Sequence, residues 1–195
     1  MEADWEVEIG GDAPVIQAHW SGFIDLRVAP ARARRLPEAA QFPALGDILS
    51  RLNSPSSPMW TSKCDVWHPD GFDPDELDAP LDERNCVIAC YIDLLPRGDQ
   101  RWPDHLQAVA ACKTVCARLR AAALRRCRAD LIVRRAHLNP PVPGHGVTAY
   151  FTACGPASAH AAAVLASALA VFADAVKIGR PHDLRFKVTM RNVGE

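Results

Sequence analysis

The length, composition and charge of the chain define its broad class. The chain has 195 residues, of which 49% are hydrophobic and 23% charged, and its formal net charge at pH 7 is −1. This composition is ordinary for a globular protein and excludes a largely disordered chain. A net charge near zero gives the whole molecule no electrostatic attraction to nucleic acid or to anionic membranes. We therefore expect a single domain over residues 1–195 with its own hydrophobic core.

Three sequence features bear on cellular location. Residues 1–5 are acidic and lack an apolar run, so we expect no signal peptide. Seven cysteines are an odd number, which favours free thiols in a reducing compartment. The apolar stretch 157–176 is mostly alanine and contains His160 and Asp174, which predicts a helix of a soluble fold and not a membrane span. Together these features predict a cytoplasmic protein.

The predicted elements of the first half alternate between strand and helix periods. Residues 5–9 alternate as a strand, a turn follows at 10–12, and a longer strand is predicted over 15–28. A helix over 37–52 and a strand over 59–67 complete this half.

The second half contains the clearest elements. A strong strand is predicted over 86–95, and a long helix over 103–128 follows it. The remaining predicted elements are strands at 130–138 and 147–154, a helix at 156–178 and a final strand at 184–191.

The order of elements predicts the fold class. From about residue 86 onward the order is βαββαβ, the arrangement of ferredoxin-like folds, and an extra β-α-β segment precedes it. Right-handed crossovers place all helices on one face of the sheet. We therefore predict an α/β (α+β) fold, a two-layer sandwich of repeated β-α-β units. A doubly wound sheet is the alternative, but Asp93 interrupts its strand, whereas strands covered on both faces read as continuous apolar runs.

Period-two alternation collects polar and aromatic side chains on one predicted face of the sheet. Its members are His19, Ser21, Phe23, Asp25, Arg27, Thr61, Lys63, Asp65, Trp67, Tyr91, Asp93, Thr148, Tyr150, Thr152, Arg185, Lys187 and Thr189. The candidate ligand-binding residues among them are Asp25, Arg27, Lys63, Asp65, Trp67, Tyr91 and Asp93.

This polar face has several open interpretations. Opposite charges on neighbouring strands stabilise a sheet by about 1 kcal/mol or less per pair, so a solvated or dimerising surface explains them without a ligand. A non-catalytic binding module would hold a small anionic ligand with Arg27 and Lys63. It would alternatively anchor a protein partner on Trp67, Phe23 and Tyr91. We predict such a binding module, with a homodimer as an open alternative.

The enzymatic alternative uses the same residues. Arg27 and Lys63 would position a substrate while Asp25, Asp65 or Asp93 transfers protons. The chain has no glycine-rich nucleotide-binding motif and no hydrolase motif. We therefore assign no catalytic residue and predict no cofactor.

The cysteines and the charge clusters predict structure more than chemistry. Cys112, Cys116 and Cys127 lie in the apolar stripe of the predicted long helix and away from turns, so we predict no metal site. Cys154 precedes a predicted helix start, where a thiol can be activated, but no supporting motif accompanies it.

The charged residues are unevenly distributed between two segments. The acidic segment 65–85 lacks the spacing of a calcium-binding loop and contains a helix-capping pattern, Asp73 to Glu76. The arginines form a cluster comprising Arg118, Arg120, Arg125, Arg126 and Arg128. Interleaved aromatic residues are absent from it, so nucleic acid is not the predicted partner, and pairing with the acidic segment is the alternative.

Overall fold

The computed structural model describes residues 1–80, 85–97, 102–138 and 142–177. The strands are β1 (Glu2–Glu8), β2 (Ile16–Gln17), β3 (Met59–Trp67), β4 (Cys86–Pro96), β5 (Cys127–Leu138) and β6 (Val142–Gly155). The α-helices are α1 (Pro37–Gln41), α2 (Pro43–Leu52), α3 (His105–Ala121) and α4 (Ser158–Lys177). Two 3₁₀ helices cover Pro30–Arg35 and Asp75–Leu77.

The described strands form one six-stranded, mostly antiparallel sheet. Its order is β1-β5-β6-β4-β3, and β2 pairs with β5 beyond the end of β1. β1 and β2 run parallel to β5, whereas the β5–β6, β6–β4 and β4–β3 pairs are antiparallel. The long β5–β6 hairpin therefore lies near the middle of the sheet and positions the other strands.

The main core lies between one face of the sheet and the helices α2, α3 and α4. Strand β4 directs Ile88, Cys90, Ile92 and Leu94 into this core, in agreement with their period-two spacing. α3 packs on β1 and β5, and α4 packs on β4 and β6. The rings of Phe151 on β6 and Phe172 on α4 meet edge to face at 5.0 Å. The fold is thus a mixed α/β, two-layer arrangement, as predicted at this level.

The alanine-rich helix α4 has the length and composition of a membrane span. In this fold its buried residues, including Leu165, Leu169 and Phe172, belong to the main core. The core helix of a soluble protein passes the same test, so the structure is compatible with a soluble protein. A cytoplasmic location stays a prediction.

The predicted strand over 15–28 is wrong beyond its first residues. Only Ile16–Gln17 pairs as a strand, and turns follow because His19 and Gly22 adopt positive φ angles of 67° and 87°. The aromatic residues of this segment pack on Trp60: the Phe23 ring lies 6.3 Å from the Trp60 ring. The apolar alternation therefore reflects packing on the sheet and not pairing within it.

Two predicted helices have different bounds in the structure. The helix expected over 37–52 divides at Phe42, because Pro43 cannot donate a backbone hydrogen bond and instead begins α2. α3 ends at Ala121 and not at 128, because Ala123 and Arg126 adopt positive φ angles of 49° and 60°. β5 therefore begins at Cys127, three residues before the start that the sequence predicts.

The ferredoxin-like topology is not confirmed. The order β4-α3-β5-β6-α4 agrees with the prediction, and β6 lies between β4 and β5. The position beside β4 is taken by β3, which comes from the first half of the chain. β1 and β3 stand at opposite ends of the strand order, so α1 and α2 do not connect neighbouring parallel strands as expected. The predicted last strand, with Arg185, Lys187 and Thr189, lies outside the described residues.

Candidate functional site

The face of the sheet opposite the helices, here called the open face, carries the residues that alternate with the core positions. On β4 these residues are Val87, Ala89, Tyr91, Asp93 and Leu95. Pairing across the strands aligns them in rows that run perpendicular to the strands. One such row is Asp65, Tyr91, Tyr150, Asp130 and Asp4, in the order β3, β4, β6, β5 and β1.

Small apolar clusters cover the two ends of the open face. One cluster comprises Ile16, Ala18, Trp60, Leu95 and Ala136, with Phe23 and Leu138 packed against it. The other comprises Leu77, Ala79, Val87 and Cys154, with Phe72 packed against it. The polar centre of the open face lies between these two end clusters, and the loop segments that carry Phe23 and Phe72 border it.

Three aromatic side chains, here called the aromatic row, cross the centre of the open face. The Trp67 and Tyr91 rings lie 6.4 Å apart, and the Tyr91 and Tyr150 rings 5.8 Å apart. The Arg134 guanidinium carbon lies 5.7 Å from the centre of the Tyr150 ring. Trp67 is 38% exposed and both tyrosines are half-buried. Burial, assisted by Asp93 and Asp65, raises the pKa of Tyr91 to about 12, so the Tyr91 ring is uncharged at neutral pH.

A hydrogen-bond network around Asp93 lies beside the aromatic row. Thr148 Oγ1 donates to Asp93 Oδ1 at 2.6 Å. Burial raises the pKa of Asp93, and the Thr148 bond and the nearby Arg134 and Lys63 cations oppose that shift without cancelling it. Arg134 is itself held by Glu8, with an Nη2–Oε2 distance of 2.9 Å. Asp93 is therefore a buried carboxyl group that ionises less readily than a carboxyl group in water.

A bulge in β3 determines which of its side chains reach the open face. The β3–β4 pairing shifts register between Thr61 and Cys64, so Trp60, Asp65 and Trp67 all lie on the open face. Thr61 turns inward, where Asn53 Nδ2 donates to its Oγ1 at 2.7 Å. The expectation that Thr61 shares a face with Asp65 and Trp67 is wrong, because simple alternation cannot show a bulge.

Lys63 and Asp65 have few partners on this face. The Lys63 amino group lies 5.1 Å from the centre of the Trp20 ring and forms no ion pair with any described residue. Asp65 Oδ1 accepts a hydrogen bond from the Val66 backbone amide at 2.7 Å. Both side chains are therefore available to a ligand on the open face.

Asp25 and Arg27 do not join this centre. Arg27 binds the Asp25 carboxylate with two hydrogen bonds, Nε–Oδ1 at 2.8 Å and Nη2–Oδ2 at 2.7 Å. These bonds lower the pKa of Asp25. The Arg27 guanidinium lies 3.9 Å from the centre of the Trp60 ring and borders a small cavity of about 110 Å³ with Leu95 and His145. The candidate residues therefore divide into a central group and an Asp25–Arg27 pair at a covered end.

Arg134 and Glu8 are site residues that sequence reasoning missed. β5 places Ala129, Leu131 and Val133 in the main core, so Arg134 alternates onto the open face. Glu8 lies directly opposite Arg134 on β1. The period-two pattern that was applied to the other strands would also have placed Arg134 on the open face.

Five of the seven cysteines are buried, and Cys64 and Cys86 are partly exposed. Burial raises the pKa of Cys112 to about 12 and that of Cys127 to about 11. Cys154 is fully buried in an end cluster within β6, which continues to Gly155. Its position therefore does not offer an exposed nucleophile. Within the described ranges, no group of three or more His, Cys, Asp or Glu side chains is placed to hold a metal ion.

The site therefore belongs to a two-layer α+β protein with an aromatic and charged sheet face. Comparisons with protein families, with curated proteins and with solved structures find no match. The geometry of the open face is therefore the basis for inferring a function.

Proposed function

We propose that the protein is a non-catalytic binding module that docks a protein partner on the open face. The observation that carries this proposal is the aromatic row together with Arg134. Trp, Tyr and Arg side chains dominate the binding energy of protein interfaces. Sites for small molecules are concave, and neither of the two concavities described in this structure is lined by the aromatic row.

The dimensions of the open face suit a helical segment of the partner. The end clusters contain Val87 and Leu95 of β4, which are about 27 Å apart at about 3.4 Å per residue. A helix with its side chains is about 10–12 Å wide and fits between them. The five strands from β1 to β3 span about 19 Å at about 4.8 Å per strand spacing, which equals roughly 13 residues of helix.

The charges of the open face indicate the chemistry of that helix. Glu6 on β1 and Asp65 on β3 stand near opposite edges of the sheet, and neither forms an ion pair within the described part of the chain. Acidic side chains outnumber basic ones on this face. Complementary charge favours a partner with basic side chains. The proposed occupant is therefore an amphipathic helix with an apolar stripe and basic flanks.

Peptide binding tests this proposal directly. The probes are a fluorescent amphipathic Lys/Leu helical peptide and a Glu/Leu peptide of the same length and pattern, followed by anisotropy. The protein should bind the basic peptide in preference to the acidic one, and added salt should weaken binding. Tyr91→Ala should weaken binding about tenfold or more, since it removes an interface anchor.

The matched control is Leu106→Ala, which removes an exposed apolar side chain from α3 on the other side of the molecule. It should leave the affinity unchanged. Equal binding of both peptides, or an unchanged affinity in Tyr91→Ala, would overturn the proposal. Sedimentation of the free protein addresses the homodimer separately, since a second copy on the open face would compete with the peptide.

A small anionic ligand is the second candidate for the open face. The observation that favours it is that Lys63 forms no ion pair with a described residue. Lys63 lies beside the Trp20 ring and near Asp93. With AMP as the probe, the phosphate would meet Lys63 and the planar base would stack on the aromatic row. Lys63→Met should then abolish the AMP-dependent change in tryptophan fluorescence. Lys113→Met is a matched control, because Lys113 lies 5.0 Å from the Trp5 ring on the helix side.

The enzymatic alternative depends on Asp93. Its raised pKa and its burial beside Arg134 are features of acid–base residues. Asp25 is committed to Arg27 and borders the covered end of the face, so it does not share a site with Asp93. A purely structural role, in which Asp93 accepts the hydrogen bond from Thr148, explains the burial of this carboxyl group equally well. We therefore prefer the binding module.

A further inference from the structure

A second concavity lies at a corner of the sheet, apart from the aromatic row. It has a volume of about 570 Å³ and lies where β1, the 3₁₀ helix Asp75–Leu77 and the turn between α3 and β5 meet. Small-ligand sites commonly have volumes of about 300–1,000 Å³. Its apolar lining consists of Met1, Ala3, Leu77, Leu124 and Cys127.

One side of the concavity is acidic. Asp75, Glu76 and Asp78 line it from the 3₁₀ helix and the residue that follows. All three side chains are exposed, and none forms an ion pair with a residue in the described ranges. A ligand with a cationic group would find unpaired carboxylates here.

Another side is basic. Arg120, Arg125 and Arg126 line the concavity from the end of α3 and the following turn. Arg120 is committed to Asp4, with an Nη2–Oδ1 distance of 2.6 Å, and Arg126 Nη1 contacts Asn85 Oδ1 at 3.4 Å. Arg125 is exposed and makes no ion pair within the described part of the chain. It is therefore the cation available to an anionic group.

The backbone of both charged segments is held in an uncommon conformation. Asp78, Ala123 and Arg126 have positive φ angles of 53°, 49° and 60°. Asp78 ends the 3₁₀ helix, and Ala123 and Arg126 lie in the turn that follows α3, where left-handed residues are common. These turns determine how the charged segments border the concavity.

We propose that this concavity binds a small zwitterion of the α-amino acid type with an apolar side chain. The ammonium group would face Asp75, Glu76 and Asp78, and the carboxylate would face Arg125. The apolar side chain would lie on Leu77 and Leu124. A ligand with only one charge leaves either the carboxylates or Arg125 unpaired, whereas a zwitterion satisfies both. This inference is independent of the function proposed for the open face.

Thermal stability of the whole protein with three related probes tests this inference. L-leucine should raise the unfolding temperature in a concentration-dependent manner, since a ligand that binds the native state stabilises it. N-acetyl-L-leucine lacks the ammonium group and L-leucinamide lacks the carboxylate, so each should produce a much smaller shift. If no probe shifts the temperature, or if either single-charge probe equals L-leucine, the inference is overturned.

Two variants and their matched controls locate the binding. Arg125→Met and Asp78→Asn should each weaken L-leucine binding about tenfold; asparagine tolerates the positive φ of position 78. The controls are Arg35→Met and Asp12→Asn, which remove exposed charges that do not line this concavity. Equal losses in the variants and the controls would contradict the assigned location.

Discussion

At the scale of single residues, the open face is characterised by one buried carboxyl group and its donor. Asp93 is 7% exposed and accepts a hydrogen bond from Thr148, which is 1% exposed. Burying a charged carboxylate is costly unless hydrogen bonds and opposite charges compensate. Thr148, Arg134 and Lys63 compensate only in part, since the pKa of Asp93 is still raised.

The raised pKa of Asp93 predicts a specific pH dependence of stability. The native state keeps the proton to a higher pH than the unfolded chain does, so stability falls as pH rises from ~4 through the native pKa. Asp93→Asn removes the titrating proton and keeps the acceptor for Thr148. The variant should match the wild type near pH 4 and should have an unfolding free energy higher by about 1 kcal/mol or more at neutral pH.

Urea denaturation of both proteins across this pH range measures the difference. A difference that does not change with pH, or a variant that is less stable at neutral pH, would contradict the partial compensation described for Asp93.

The Thr148 hydroxyl is the second residue that can be tested alone. Thr148→Val keeps the side-chain shape and removes the donor to Asp93, which should destabilise the protein by about 1–3 kcal/mol. Thr152→Val is the matched control on the same strand and face, since Thr152 makes no hydrogen bond to another described side chain. Comparable losses in the two variants, measured by chemical denaturation, would mean that the Asp93 bond is not the cause.

At the scale of elements, some strands have the bounds that the sequence pattern predicts and others differ from them. The strand predicted at 59–67 agrees with β3 in its bounds, although the bulge after Thr61 breaks the alternation of its side chains. β6 begins earlier than predicted, at Val142, although Pro143 lies within it. Proline is tolerated at this position because β6 pairs there with β5 alone. The backbone nitrogen of Pro143, which carries no hydrogen, faces away from β5, so no hydrogen bond between the strands is lost.

A buried asparagine connects α2 to β3 and holds the register that places Asp65 and Trp67. Asn53 is 0% exposed, its Nδ2 donates to the Leu49 carbonyl oxygen and to Thr61 Oγ1, and its Oδ1 accepts from the Thr61 amide. Asn53→Ala should cost about 2–4 kcal/mol, since it leaves buried groups unpaired. Ser54→Ala, in the next position and more exposed, should change stability little in the same denaturation assay.

Loss of stability in Asn53→Ala should be accompanied by weaker binding of the basic peptide, because the β3 side chains lose their fixed register. A variant with native stability would show that the bulge of β3 is held by other contacts.

At the scale of the whole molecule, the layers were predictable and the strand order was not. Alternation along each strand separates the main core from the open face, and it is encoded locally in residues such as Ile92 and Asp93. The neighbour of β4 is decided by contacts distant in sequence, and β3 pairs there across the gap from Trp67 to Ala89. Period and spacing contain no information about such pairing, so the Asp25–Arg27 pair and Lys63 were expected in one place.

The order of the strands also explains why the candidate site forms at this face. β3, β4, β6 and β5 bring Trp67, Tyr91, Tyr150 and Arg134 into adjacent positions, although these residues are spread over much of the chain. The helices cover only the other face, and the end clusters leave the centre uncovered. The proposed binding surface is thus a consequence of the two-layer arrangement.

Mapping where a basic amphipathic peptide contacts the protein tests the proposed binding surface most directly. Amide and indole signals of the isotope-labelled protein would be followed by NMR during titration with the basic amphipathic peptide. The account predicts that the largest shifts occur at the Trp67 indole and at the amides of Tyr91 and Tyr150, with little change in α3 and α4. Shifts concentrated in the helices, or an absence of shifts on β3, β4 and β6, would contradict it.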